Sequence, residues 1–248
     1  MINKELRIQC LSAFSLKILA CVFMLVDHIG CILLQDVIVL RYIGRLSFPI
    51  FAYFIAEGCR YTKNKLKRFL SVFVLGLVCE LVFIIFSKEY YGNILLTFSV
   101  SILLIYLLDS VKKAYFKSKK LFFVLMLSLG TALVLTYAFC KTVGLDYGFF
   151  GVLAPVLAVA FDNLGGVSKK LYGCIERKTV SLFMLSVSLL MICIFWDYED
   201  YQILSLLSVV LLALYNGERG KHRLKYFFYF FYPLHLAILQ GIAFVFQK

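Results

Sequence analysis

The chain has 248 residues, 62% of them hydrophobic and only 16% charged, with a mean hydropathy of +0.92. A soluble domain is about half apolar and about a quarter charged, so a soluble globule is excluded, and so are disorder, a collagen-like repeat and a disulfide-stapled miniprotein. What remains is an all-α, polytopic transmembrane bundle, which nonetheless carries a formal net charge of +12.

Crossing the hydrocarbon takes about 20 mainly apolar residues per helix. Nine segments qualify in chain order: 13–35, 40–59, 69–87, 93–110, 121–140, 148–164, 180–196, 201–215 and 226–246, of which the sixth and eighth are short. The first run is too long for the apolar core of a signal peptide and lacks a small-residue cleavage motif, so it reads as the first span. No linker or repeat period interrupts the series, and residues 1–248 read as one membrane domain.

The charges sort by connection. With the N-terminus inside, twenty of the 26 cations fall on inner segments, among them Arg60–Arg68, Lys112–Lys120 and Arg219–Lys225. The outer segments hold Arg41, Lys88, Lys141, Lys248 and the acidic stretch Asp197–Asp200. This alternation predicts an N-in, C-out arrangement and makes the basic balance a report of orientation, with no nucleic acid needed to explain it. The eight cysteines are scattered singly, without CxxC or His-Cys spacing, and read as buried free thiols, with no metal site expected.

A charged group at mid-helix costs about 2.5–3.5 kcal/mol on insertion scales, so the few inside the spans are the candidates for function. In span one, Lys17, Cys21, Met24 and His28 follow i, i+4, i+7, i+11 spacing and share one helical face. Lys17 and His28 stand about 16 Å apart along the axis. Asp27 lies one 100° step aside, so Asp27 and His28 each need a partner on another helix. The plainer reading of His28 is an interhelical hydrogen bond; its neighbour Asp27 favours a functional one.

Span two contains Arg41, Arg45, Pro49 and Glu57. Pro49 predicts a bend, Arg45 is the natural ion-pair partner for Asp27, and Glu57 sits at the inner end. Glu80 is the charge of span three, and Asp162 closes span six. In span nine, His235 follows Pro233, which cannot donate its backbone bond and crowds the carbonyl of Tyr229. Irregular backbone at membrane depth is tolerated only inside protein or beside a cavity, so His235 reads as part of a cavity wall. The last inner connection, YNGERGKHRLK, combines Asn216 and two glycines with Arg219, Lys221 and Arg223. Such turns can cradle phosphates, and the same cations also fit a plain inner loop. No Walker motif, GxSxG elbow, HExxH or Rossmann fingerprint occurs.

LKILACVFMLVDHIG followed by RYIGRLSFPIFAYFIAEGCRYTKN resembles the signature of the TraX family, named for the conjugative F-pilin acetyltransferase. NILLTFSVS, DYGFFGVLAP and LYNGERGKHRLKYFFYFFYPLHL match later blocks in the same order, so the resemblance covers nearly the whole chain. It implies a multi-span acyltransferase of the bacterial inner membrane that takes acetyl groups from acetyl-CoA. The acceptor would be an amine or hydroxyl on a pilin N-terminus, a peptide or a glycan. The plan is also similar to membrane sugar acetylases that place a cation and a His on the first helix, positions filled here by Lys17 and His28. The resemblance then implies Lys17, Asn216, Arg219, Lys221 and Arg223 at the CoA phosphates, His28 as general base, His235 and Asp27 beside it, and Arg45, Glu57 and Glu80 shaping the site or its acceptor side. A transporter or flippase using Asp27, His28 and His235 is the alternative, and a non-catalytic pilus-assembly partner is a third.

Overall fold

The computed structural model describes residues 9–88, 90, 92–164, 170, 172–195, 200–220 and 225–246. The chain runs through α1 (Ala13–Ile32), α2 (Ile38–Gly44), α3 (Ser47–Tyr61), α4 (Lys65–Ser87), α5 (Ile94–Lys117), α6 (Lys119–Val143) and α7 (Gly148–Ala158). It continues through α8 (Arg177–Phe195), a 3-10 helix (Asp200–Leu206), α9 (Leu207–Ala213) and α10 (Lys225–Phe246). Among the described residues, six stretches are long and apolar enough to cross a membrane: α1, α2 with α3, most of α4, α5, α6 and α8. Shorter apolar helices lie at Gly148–Ala158, Tyr201–Ala213 and Phe230–Val245. The protein is thus an all-helical, multi-pass membrane protein, and no strand occurs among the described residues.

Local chemistry sets the helix ends. Ser12, Asn64, Asn93 and Ser118 are N-caps whose side-chain oxygens accept from the first turns of α1, α4, α5 and α6, answering amides that lack an intrahelical partner. Span two is broken, with α2 ending at Gly44 and α3 starting at Ser47. Pro49 explains the place, because its ring crowds the carbonyl four residues back, that of Arg45. Span six is shorter than its hydropathy implies. Helix α7 stops at Ala158, where the chain tightens into i→i+3 turns, and side chains answer the carbonyls there: Arg60 Nη2 donates to Ala158 O at 2.7 Å and Lys112 Nζ to Val159 O at 2.7 Å. The eighth segment opens as the 3-10 helix before α9 begins.

Helix α3 lies at the centre, against α1, α5, α7, α8 and α9. Its small residues Ala52 and Ala56 are fully buried beside Ile50, Ile102, Val152 and Leu189. A second apolar group, Met24, Cys79, Phe83, Tyr232 and Leu236, joins α1 and α4 to α10. Helix α6 is almost wholly outside the packed core. Cys21, Cys59, Cys79 and Cys140 are buried free thiols as expected, whereas Cys10, Cys31 and Cys174 are exposed.

Glu80 belongs to this framework. Its carboxylate accepts from the backbone amides of Gly92 and Asn93, both at 3.2 Å, and from Asn93 Nδ2 at 2.8 Å. It thereby ties α4 to the start of α5, and Asn93 is itself fully buried. Glu80→Ala leaves those donors unanswered in the bundle and is expected to cost roughly 3 kcal/mol. Thermal unfolding of the purified protein in detergent reads this, and an unchanged midpoint refutes it.

Candidate functional site

Helices α1 and α3 run antiparallel in a register fixed by three contacts. Ser47 Oγ donates to Ala20 O at 2.9 Å. Gly44 packs on the Asp27 side chain, where a Cβ would collide. At the other end, Lys17 Nζ lies 5.0 Å from the Phe54 ring centre. The face carrying Cys21, Met24 and His28 is the buried one. Asp27 and His28 therefore belong to one end of the bundle, and Lys17 and Glu57 to the other.

At the first end, α10 brings His235 against α1. His28 Nδ1 and His235 Nε2 are 2.7 Å apart, and the rings stack with centroids 5.0 Å apart. Both residues are buried, and Tyr232 and Phe231 pack on them. His235 Nδ1 is 2.7 Å from the carbonyl of Phe231. A carbonyl only accepts, so His235 Nδ1 carries a proton, and its Nε2 in the neutral ring is an acceptor. His28 Nδ1 must then donate to that Nε2. This leaves His28 Nε2 with a lone pair and no hydrogen-bond partner among the described residues. Pro233, two residues before His235, lies inside α10.

Beside this pair stands a cluster of charges. Sequence spacing points Asp27 at Arg45; Arg41, one turn before Arg45, makes a 2.8 Å ion pair with Asp27, and its Nη1 also reaches Asp27 O at 3.4 Å. Arg45 lies at the break after α2 and donates to the hydroxyls of Tyr147 at 3.3 Å and Tyr201 at 3.4 Å, with its guanidinium over the Tyr201 ring. Asp146, in the connection from α6 to α7, is near Arg45 and Asp27. Burial pushes its carboxyl up to about 7, with Arg45 pulling the other way. Asp146, Tyr147 and Tyr201 were not singled out by sequence reasoning, and Arg41 was named without a partner. The DYG stretch that leads from the 144–147 connection into α7 was the visible sign of two of them.

At the opposite end the cations gather. Lys17 Nζ lies between Phe54 and Phe228 and feels the charges of Arg68 and Arg219. Arg68 fits the notch left by Gly58, where a Cβ would strike its guanidinium. It makes two long bonds, to Phe54 O at 3.4 Å and Ile55 O at 3.3 Å, and its Nε has no partner among the described residues. Arg68 is a further residue that sequence reasoning passed over, because it looked like any other inner-loop cation.

The 214–220 connection is clasped to the start of α1. Leu11 N donates to Leu214 O, Asn216 N to Leu11 O, Ala13 N to Glu218 O and Phe14 N to Arg219 O. Gly220, at φ 85°, lies against Ser12 where a side chain would not fit. The first amides of α1 are therefore taken by protein carbonyls. Asn216 Oδ1 accepts from Glu218 N at 2.9 Å, so that oxygen shapes the turn. Lys221 and Arg223 lie outside the described residues.

Glu57 joins a separate network. Arg60 binds Glu57 Oε2 at 2.6 Å, Asp162 Oδ2 at 2.5 Å and Ser181 Oγ at 2.6 Å, while Tyr172 donates to Asp162 Oδ1 at 2.9 Å. This network ties α3 to the end of α7 and to α8, beside a cavity of about 260 Å³.

A family profile described as TraX protein matches residues 12–243. The chain is 23% identical over 259 residues to the probable fimbrial assembly protein FimC, serogroup H1, of Dichelobacter nodosus, covering 92% of this chain and 94% of that protein. No solved structure matches it.

The raised carboxyl of Asp146 gives a pH signature. Its folded value of about 7 exceeds the ordinary 3.8, so the folded state binds the proton more tightly. That contribution to stability is complete at low pH, is lost as pH rises between about 4 and about 7, and is flat above. Relative to the wild type, Asp146→Asn should therefore gain in unfolding midpoint across that window and plateau beyond it. Parallel midpoint curves for the two proteins would refute the assignment.

Proposed function

Since this chain belongs to the TraX family, we propose that it is an acyltransferase of the bacterial inner membrane, serving pilus or fimbrial assembly as the name of its relative suggests. It would move an acetyl group from acetyl-CoA to an amine or hydroxyl on a pilin, peptide or glycan. The observation that carries this reading is the hydrogen-bond chain from Phe231 O through His235 to His28, which leaves His28 Nε2 as a base.

The acyl donor supplies an acetyl group activated as a thioester. The chain's part is to take the proton from the attacking amine or hydroxyl at His28 Nε2 and to return it to the departing thiolate. Protonation at Nε2 makes His28 a cation whose Nδ1–H bond to His235 becomes charge-assisted and stronger. His235 is held in its tautomer by a carbonyl, and acts as a positioning residue. The same chain disfavours proton transport as the main activity, because a backbone carbonyl cannot accept a proton and pass it on.

Lys17, Arg68 and Arg219 would hold the donor's phosphates. Their fit rests on three like charges brought together, with spare donors on Arg68 and an ammonium flanked by two rings. Lys221 and Arg223 belong to the same basic connection and are proposed as further contacts. Asp27 with Arg41, and Arg45 with Tyr147 and Tyr201, would hold the other end in shape.

The proposed arrangement in the membrane has nine passes, N-in and C-out. It is supported by the way contacts segregate, with Asp27, Arg45, Asp146 and Tyr201 at one end and Lys17, Arg68 and Arg219 at the other. In intact cells a membrane-impermeant maleimide should label Lys141→Cys and spare Lys113→Cys in a cysteine-free background. The reverse pattern inverts the topology.

For the chemistry, reconstituted His28→Ala should lose about 10²–10⁴-fold in acetyl transfer while still binding acetyl-CoA. Arg68→Ala and Arg219→Ala should each weaken acetyl-CoA binding roughly 10–100-fold. Full transfer by His28→Ala ends the assignment of the base, and unchanged binding ends that of the cations.

A further inference from the structure

The segment Tyr201–Ala213 is apolar as a whole. It nevertheless carries Gln202, Ser205 and Ser208, all fully buried. Its first part is the 3-10 helix, in which side chains three apart eclipse, so Gln202 and Ser205 stand in one line toward the bundle. Ser208 is satisfied, its hydroxyl donating to Ser205 O at 2.6 Å. Gln202 Nε2, Gln202 Oε1 and Ser205 Oγ have no hydrogen-bond partner among the described residues.

Buried polar side chains are nearly always satisfied, and lipid tails offer nothing to bond. Three unmet atoms on one turn of irregular helix therefore call for a polar group from elsewhere. The 3-10 helix packs on α2, α3, α8 and α9. Tyr201, at its start, accepts from Arg45 and packs on Tyr42 with centroids 5.2 Å apart. One turn before Arg45, Arg41 holds Asp27, next to His28. The unmet atoms thus belong to the histidine end of the molecule.

We propose that Gln202 and Ser205 form a binding site for a secondary amide. The match is chemical: Oε1 accepts the amide N–H, Nε2 donates to its carbonyl, and the Ser205 hydroxyl donates to a second acceptor. A hydroxyl-bearing sugar offers no such fixed donor–acceptor pair. Two ligands present this group, the backbone of a peptide and the pantetheine arm of an acyl-CoA. Entry requires α2 to part from the 3-10 helix, where the Arg45–Tyr201 bond is long. The proposal rests on the acyltransferase reading only in naming these two sources.

The test needs no acyl transfer. Wild-type protein in lipid nanodiscs is titrated calorimetrically with tetra-alanine, with tetra-alanine methylated on its backbone nitrogens, with pantetheine and with amide-methylated pantetheine. For one pair, the unmethylated ligand should bind roughly ten-fold tighter, the worth of one good hydrogen bond, and that pair identifies the source. Gln202→Leu should abolish the preference while keeping or raising the unfolding midpoint, since it buries no unmet group. Ser205→Ala should weaken binding of that ligand without loss of fold. No preference in the wild type for either pair overturns the proposal, and so does a preference that survives Gln202→Leu. A midpoint that falls in Gln202→Leu and Ser205→Ala with the preference intact makes these groups structural and likewise overturns it. Absence of acetyl transfer in the wild type would count against the acyltransferase reading alone.

Discussion

Hydrocarbon makes no hydrogen bonds, and every polar group that this chain carries between its helix ends has to be answered by another part of the chain. That constraint decides most of the architecture. Glu80 is tolerable because three donors at the start of α5 surround it. Arg60 is tolerable because two carboxylates, a hydroxyl and a helix-terminal carbonyl share its guanidinium. In both cases the charge fastens one helix to another. These residues are costly to bury and costly to remove, which is how framework charges behave in a dry interior.

Other polar groups are answered incompletely, and they lie elsewhere. The His28–His235 pair closes on a carbonyl at one end and leaves a ring nitrogen at the other. Lys17 is flanked by rings and cations rather than by an acid. The contrast separates groups that build the bundle from groups with capacity to spare. Glu57 and Glu80 share the buried, charged character of Asp27 and His28 in the sequence. The bonds of Glu80 to the start of α5 and the Glu57–Arg60 pair that joins the Asp162 network assign them to the framework.

Much of this was legible in the residues, and the limits were physical. The i, i+4, i+7, i+11 face of α1 follows from helical period alone, and the structure buries Cys21, Met24 and His28 on it while Lys17 is half-buried. The break in span two follows from Pro49, placed four residues upstream by the ring's clash with Arg45 O. That Arg41 meets Asp27 was not legible, because Arg41 and Arg45 are one turn apart and the break between α2 and α3 sets their aim. The end of α7 was hidden as well, since hydropathy cannot register the i→i+3 turns that follow Ala158 or the bonds from Arg60 and Lys112 there. Gln202, Ser205 and Ser208 did leave a trace, a polar period of three inside an apolar run, which is the period of a 3-10 helix and not of the α-helix sought there.

The placement of Lys17 and His28 on one helix has a consequence beyond economy of fold. Eleven residues of uninterrupted α-helix fix their separation at about 16 Å, and the stretch between them is clamped to α3 by the Ser47–Ala20 bond and by burial of Ala20, Cys21 and Met24. Two sites on different helices would change distance whenever the helices slid. Here sliding of α3 or α10 alters what surrounds the two ends and leaves the span itself unchanged. For a donor anchored by its phosphates and reacting at its far end, such a fixed span would set where the reactive group stops. The cations would then contribute to the rate through position as well as affinity.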